Sequence, residues 1–500
     1  MSTIRRILVS VTMASTAVGT VVACSDDPSA PRATFDSMDA APDVPAPSLP
    51  STTDDASTGG KDAGEEARAP FDPKDEPVVC ADPTTCAKEI VAGSNHFCVR
   101  MNDGTARCWG DNEYGALGGA PPKPPKGGGG NDPDAGGDGG ADAGAKSSTV
   151  VVSNLAGATQ LSAARSTTCA RLETGAVSCW GSNSFGQLGL TSDKPSWDEW
   201  AHESAEPVAI KDAVKRVDVG PENVCAVLAN GKVTCWGTNR LAQLARPDDL
   251  SLAFVMAPGE ASLAPYAVAN IAVGSGTVFG LTAAGEVVSW GAIAGNEGFL
   301  GGRMTSISPD PIPNAITTLT GVHSVVSSAT LMKDEAGPLA TPPTIGPFPP
   351  PPISRHAHAC AIVNGYVFCW GKSDTSALCT GLPDNELYPT PAPTKGKAWA
   401  QQLALGDEIT CARMSDGTVQ CCGADAYGRL GTGLTDPISP FFRPVASFTG
   451  HAVQVATSNR AVCALLNDGT VQCWGSNVRG ELALGATDET THATPVKVTF

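Results

Sequence analysis

C-A-L-L-N-D-G-T-V-Q-C-W-G, residues 463–475, sets two cysteines around a central Asn467-Asp468-Gly469, with Trp474-Gly475 directly after. Apolar and β-prone residues flank a turn-forming triplet, which is the pattern of a tight β-hairpin. A lone two-stranded hairpin buries too little apolar surface to be stable in water. The stretch therefore needs others like it to pack against.

The chain writes it seven times. Cysteines recur in pairs: Cys98 with Cys108, Cys169 with Cys179, Cys225 with Cys235, Cys360 with Cys369, Cys411 with Cys421 and Cys463 with Cys473. A seventh copy, between the third and fourth pairs, carries Phe279 and Ser289 instead. Turn glycines stand at Gly104, Gly175, Gly231, Gly285, Gly365, Gly417 and Gly469. Trp-Gly follows each copy except the sixth, which has Cys422-Gly423. A G-x-L-G step or a near variant comes next, carried by Leu117, Leu188, Leu244, Leu300, Leu378, Leu430 and Leu482.

Spacing speaks to the state of the cysteines. Five pairs lie ten positions apart, which suits a three-residue turn with glycine in the left-handed conformation. Cys360 and Cys369 are nine apart, and their turn is the two-residue Asn364-Gly365. The shorter type I′ turn keeps those cysteines opposite one another. The fourth copy lacks both cysteines together. Cross-strand disulfides account for all of this, whereas structural zinc needs four ligands per site and each unit has two. An oxidising, exported compartment follows. Of the remaining cysteines, Cys80 and Cys86 are placed to bridge a small loop, and Cys379 and Cys422 are the odd residues of neighbouring copies, placed for a bond between them.

A whole unit reads as four short antiparallel strands, a to d, repeated about every 50 residues, which is a propeller-blade pattern. It begins on a strand b near 89–91 and ends on a lone strand a at 494–498. The expectation is an all-β, seven-bladed β-propeller of four-stranded antiparallel blades over residues 80–500, its ring closed by the C-terminal strand joining the N-terminal blade. The unit G-x-x-x-x-C-A-x-x-x-x-G-x-V-x-C-W-G-x-N-x-x-G-x-L-G, clearest at 164–189 and 220–244, resembles the repeat of the regulator of chromosome condensation family. That resemblance spans roughly residues 88–500 and implies the same seven-bladed fold. The exchange-factor role of the eukaryotic members, with its chromatin contact, does not fit an acidic chain bearing an export signal and paired cysteines.

The chain has 500 residues, 33 Lys+Arg against 51 Asp+Glu and a net charge of −18, a balance that argues against nucleic-acid phosphate as a partner. Arg5 and Arg6 precede an apolar run, and residues 1–23 read as a signal peptide. Val21-Val22-Ala23-Cys24 is similar to the bacterial lipobox, so Cys24 is expected to be lipidated and the protein exported as an outer-membrane or cell-surface lipoprotein, periplasm-facing remaining open. Ordinary cleavage with Cys24 incidental is the alternative. Residues 24–79, rich in Asp, Ala and Pro, read as a disordered tether, since they offer little to bury.

Strand alternation puts the c–d turns and the a–b connections on one face of the ring. Insertions at 119–147, 191–206, 245–263 and 329–352 all fall on the other, where a repeat scaffold meets partners. In the first, Asp132, Asp134, Asp138 and Asp142 resemble an acidic calcium loop, but no closing glutamate follows and the spacing is loose, so it reads as solvated linker. Proline-rich 341–352 reads as a spacer or a peptide ligand. Trp197 and Trp200 in a polar context are either interface anchors or packed back on the rim, and the residues alone do not decide. His356 and His358 form H-x-H beside a disulfide, a place for a core or hydrogen-bonding role. No nucleophile elbow, triad order or phosphate loop stands out. The reading is therefore a non-enzymatic monomer without metal or cofactor. It is held to the membrane by its lipid only and binds an unidentified protein or peptide through the insertion-bearing face. A glycan-binding or glycan-cleaving envelope propeller is the alternative, and a purely structural surface role the third.

Overall fold

Seven four-stranded antiparallel sheets make up the computed structural model. It describes residues 68–500 except 74–75, 120–148, 192–193, 250–251, 253, 275, 293–298, 304, 308, 329–356, 382–383 and 435. Cys24, the signal segment, the Asp/Gly insertion beyond Gly119, the proline-rich insertion and His356 lie outside the described residues. Blades 1 to 7 occupy 87–151, 158–207, 214–260, 268–315, 322–391, 400–444 and 452–497. Among the described residues, only single turns of 3-10 helix, such as Glu113–Gly115, interrupt the strands.

Each blade starts from the expected hairpin. Cys463 lies directly opposite Cys473, and the turn closes through Gly469 N–H to Leu466 O at 3.0 Å and Leu466 N–H to Thr470 O at 2.8 Å. Gly469 sits at φ 84°, a conformation that side-chain-bearing residues rarely adopt. The two-residue turn of blade 5 has Asn364 at φ 50° and Gly365 at φ 82°, the two positive angles of a type I′ turn.

All six hairpin pairs are disulfides. Cys98 is bonded to Cys108 in blade 1, Cys169 to Cys179 in blade 2 and Cys225 to Cys235 in blade 3. Cys360 is bonded to Cys369 in blade 5, Cys411 to Cys421 in blade 6 and Cys463 to Cys473 in blade 7. Their Cα atoms are 4.0 to 4.2 Å apart, so the nine-residue and ten-residue spacings bring the sulfurs together equally well. Cys80 is bonded to Cys86, and Cys379 to Cys422. In blade 4, Phe279 and Ser289 face each other at the cysteine positions.

Ring closure differs from expectation. The C-terminal strand, Asp488–Lys497, pairs with Val471–Asn477 of its own blade and not with the N-terminal blade. Every blade is four consecutive strands, in the order b, c, d, a, and the first strands touch their neighbours all the way round, the first blade meeting the seventh. A cyclic repeat does not mark its own starting point, so strand a can end one blade as readily as begin the next.

Closure instead comes from side chains reaching between blades. The third residue of the first strand is Gln160 in blade 2, and its amide donates to Val217 O at 2.7 Å and accepts from Val217 N–H at 3.0 Å. Gln402 grips Val455 in the same way, at 3.0 and 2.8 Å. Across the closing junction Gln454 accepts from Ile90 N–H at 2.9 Å, and Glu89 accepts from Leu161 N–H at 3.0 Å. Apolar contact completes the seal, with Ile90, Phe97 and Trp109 of blade 1 packed among Leu465, Leu482 and Val498 of blade 7.

The buried tryptophans form a second belt. The indole N–H of Trp109 donates to Glu481 O at 2.9 Å, that of Trp180 to Ala116 O at 3.1 Å and that of Trp236 to Gln187 O at 2.9 Å. Trp290 donates to Gln243 O and Trp474 to Arg429 O, both at 2.9 Å. In each case the acceptor belongs to the preceding blade, in the segment before its repeated leucine or the leucine-like position. Between blades 5 and 6 the tryptophan position holds Cys422, and the Cys379–Cys422 disulfide spans the junction where the indole would reach. Between blades 4 and 5 neither device operates: Trp370 is fully buried and its Nε1 has no partner.

His96 links blades 1 and 2 through a 2.9 Å contact of Nε2 with Thr168 Oγ1. Burial lowers its pKa to about 4, opposed by the charge of Asp111. Because the folded value lies below the unfolded one, its contribution is intact above pH about 6.5 and is lost as pH falls towards 4, about 3 kcal/mol in all. Denaturant titrations from pH 7 to 4 should show that loss in the wild type and not in His96→Gln; parallel curves would contradict it.

Candidate functional site

Two faces are candidates, and the chain treats them differently. Of the large apolar residues that remain exposed, all but Val79 lie in the segments after the third strand or in the outermost strands. Tyr114, Trp197, Leu252, Tyr427 and Leu484 are examples from the connections, and Trp200 from an outer strand. These residues recur in every blade, so most of the large apolar side chains left uncovered are spread round this outer rim.

Trp200 does not sit in a loop, and Trp197 stands at the end of the connection that leads into its strand. Asp198–Pro207 is the outermost strand of blade 2, so the segment 191–206 is strand for most of its length, and Phe254–Glu260 likewise fills much of 245–263. Trp200 projects from that strand with 71% of its surface exposed, and Trp197, just before it, with 40%. A polar ladder stiffens the strand beneath them. His202 lies between Asp198 Oδ1, 2.9 Å from Nε2, and Glu206 Oε1, 2.8 Å from Nδ1. Asn183 of the neighbouring strand donates to Asp198 Oδ2 at 3.2 Å, and Lys194 pairs with Glu206. Partial burial opposes ionisation of Glu206, but hydrogen bonds from His202 and Lys194, with their charges, hold its carboxyl below the ordinary value. Blade 7 repeats the device: His492 Nε2 lies 3.0 Å from Asp488 Oδ1, which shares its carboxylate with Asn477. The D-x-x-x-H spacing common to both strands was the signal in the sequence, hidden because outer strands are polar on both faces.

Around the axis on the same side, charged and aromatic side chains meet in pairs. Arg165 lies 3.8 Å from Glu222 and stacks over Phe185 at 5.5 Å. Arg429 reaches Glu408 at 2.5 Å, Arg460 covers the Tyr427 ring at 5.1 Å, and Arg479 of blade 7 pairs with Asp111 of blade 1. Burial raises the Glu222 carboxyl, with Arg165 and Arg240 pulling the other way. Each cation already has a partner, so the arrangement organises the surface and does not present a free anion hole. Among the described residues no cluster of three His, Cys, Asp or Glu side chains is placed to hold a metal. His358 is buried and bonds Thr410 Oγ1 at 2.8 Å through Nε2, linking blades 5 and 6 as His96 links 1 and 2.

The opposite, tight-turn face carries a feature that composition concealed. Residues 68–73 and 76–79, assigned above to the tether, lie along blades 5, 6 and 7. Val79 N–H donates to Asn467 O at 2.7 Å, and Glu76 pairs with His451 and lies 3.7 Å from Arg413. A cavity of about 430 Å³ opens beside this strap between blades 7 and 1, but its cations are engaged, Lys88 with Val78 O at 2.9 Å and Arg100 with Glu89 at 3.1 Å.

Comparison with known proteins agrees with the geometry. A family model described as the regulator of chromosome condensation (RCC1) repeat matches residues 87–116, 158–187, 400–429 and 452–481. The chain is 30% identical over 262 residues to the mouse E3 ubiquitin-protein ligase HERC2, a match covering 51% of this chain and 5% of that protein. It is 28% identical over 246 residues to the ultraviolet-B receptor UVR8 of Arabidopsis thaliana, covering 49% of each. It thus spans half or less of the curated relatives it matches. Among solved structures, yeast RCC1 (Prp20) bound to Kap60 superposes with a TM-score of 0.58 at 14% identity, covering 90% of this chain and 91% of that one. Human WBSCR16 gives 0.56 at 18% identity, covering 81% and 95%.

Proposed function

Because this chain belongs to the regulator of chromosome condensation repeat family, we propose that it is a disulfide-bonded scaffold whose outer rim, between third and fourth strands, binds another protein. The observation that carries this reading is that the exposed large apolar residues, Val79 apart, lie on that rim, with Trp200 the most exposed tryptophan. Exposed tryptophans on a stiff strand are efficient anchors, because little side-chain freedom is lost on binding. A solved relative, Prp20p of Saccharomyces cerevisiae, is described by its binding to Gsp1p and histones. A propeller of this fold working through protein contacts supports the reading, though the partners themselves belong to that protein. The ligase activity in the names of other relatives belongs to proteins of which this chain matches a small part.

The finer proposal concerns place. A signal peptide over 1–23, a lipidated Cys24 and a tether to about residue 67 make the protein an exported, membrane-anchored one, with the paired cysteines in keeping.

Cross-linking pull-downs from envelope fractions, comparing wild type with Trp197→Ser/Trp200→Ser, test the rim. At least a tenfold loss of the captured partner is expected from the pair. The same partner at the same yield would sink the assignment. Membrane fractionation of Cys24→Ser tests the anchor, and an unchanged membrane fraction would remove it.

A further inference from the structure

The strap on the tight-turn face is held in the manner of a bound peptide. Arg68 lays its guanidinium 3.8 Å from the centre of the Trp399 ring. Its Nε donates to Lys397 O at 2.9 Å, and its Nη2 to Ala398 O and to Gly396 O. Trp399 returns a bond, its indole N–H donating to Ala69 O at 2.6 Å, and Gln401 Nε2 donates to Asp72 O at 3.0 Å. Phe71 stands edge-on to Trp399 and to His323, ring centres 6.4 and 6.0 Å away. Gly365 forms the floor, since a side chain there would come within 2.7 Å of both Phe71 and Trp399. One cation, one aromatic ring and two backbone carbonyls of an extended segment are thus read by fixed groups of blades 5 and 6.

These contacts add little that the ring requires. The junction of blades 5 and 6 already has the Cys379–Cys422 disulfide, the His358–Thr410 contact and the bond from Ala400 N–H to Gly365 O at 3.2 Å. A set of carbonyls accepting from the guanidinium, beside an aromatic stacking platform, is recognition chemistry for arginine. We propose that this groove is a peptide-recognition site that reads an arginine and, three positions on, a phenylalanine in an extended segment of a partner protein, and that residues 68–73 are its occupant in cis. It lies on the face opposite the rim and stands independently of the rim reading.

Occupancy in cis sets the terms. The strap is tied again at Val79, so the short intervening segment holds Arg68 and Phe71 near the groove at an effective concentration of about a millimolar. A trans peptide with a dissociation constant of about 10 μM is therefore weakened roughly 100-fold while the strap is seated.

The test uses the full chain and a fluorescent peptide of the sequence Arg-Ala-Pro-Phe-Asp-Pro, followed by anisotropy. Arg68→Ala/Phe71→Ala should bind it about 100-fold more tightly than wild type, and adding Trp399→Ala should abolish the gain. Phe71→Ala alone serves the same comparison, with a smaller gain, should the pair lower stability. A variant with wild-type circular dichroism that binds the peptide no better than wild type overturns the proposal. So does equal binding of a peptide with alanine in place of Arg and Phe.

Discussion

Replacing both Cys379 and Cys422 by serine should lower the stability of the oxidised protein by about 4 kcal/mol, the chain-entropy contribution of a bond closing a loop of this length. That is more than the about 3 kcal/mol expected for any one hairpin disulfide, whose loop is shorter. The larger effect follows from place as well as length. Cys422 occupies the position that holds tryptophan in the other copies, and the two cysteines are 43 residues apart in different blades. Thr410 Oγ1 donates to Ala377 O at 2.7 Å, the carbonyl corresponding to those that the indoles of other blades address. One covalent bond therefore stands where a buried indole and its hydrogen bond stand elsewhere. Cys379→Ala/Cys422→Trp should then recover at least about 1 kcal/mol over the serine pair, the value of one buried hydrogen bond. Guanidinium unfolding without reductant measures both. An unchanged midpoint for the serine pair would show that the disulfide does not bear on stability, and a tryptophan variant no better than serine would show that the two devices are not equivalent.

Much of this was written in the sequence because the repeat keeps its internal spacing nearly constant. Hairpin, turn length and cysteine partners are local, and the nine-residue step from Cys360 to Cys369 around Asn364-Gly365 is legible against ten-residue neighbours such as Cys411 to Cys421. What was not legible is relational. Nothing in a cyclic pattern says which four strands share a sheet, so Asp488–Lys497 looked like a closing strand for the first blade when it completes the last. The outer strand Asp198–Pro207 read as a loop because it packs on one side only, and its polar ladder breaks the alternation that marks a half-buried strand. The strap read as tether because a peptide gripped through two carbonyls, one arginine and one phenylalanine has the composition of a disordered segment. Gln160, Gln402 and Gln454 share one position of the first strand, and their regularity was the available sign of the amide bridges.

The weakest junction of the ring lies between blades 4 and 5, where no indole bond, amide bridge or disulfide is present among the described residues. Asn270 stands where glutamine bridges other blades, and Trp370 Nε1 is buried without a partner beside a cavity of about 10 Å³. Blade 4 also lacks its hairpin disulfide, with Phe279 and Ser289 at those positions. What remains is apolar packing, including Phe279 edge-on to Trp370 at 5.5 Å, and one backbone bond from Val322 N–H to Gly285 O at 3.0 Å. An unsatisfied buried donor costs about 1–3 kcal/mol and each missing neutral bond about 1 kcal/mol. Opening there should thus need about 2–5 kcal/mol less than opening between blades 7 and 1, and native-state exchange should be roughly 30- to 5,000-fold faster. Hydrogen–deuterium exchange with mass spectrometry should find Val268–Val273 and Val322–Ser327 exchanging well ahead of Ala87–Ala92 and Ala452–Thr457. Asn270→Gln, which supplies the bridging amide, should slow exchange at this junction alone by about fivefold, the effect of one added bond of about 1 kcal/mol. Uniform protection round the ring, or first opening at the 7–1 junction, would mean that packing around Phe279 compensates for every missing link.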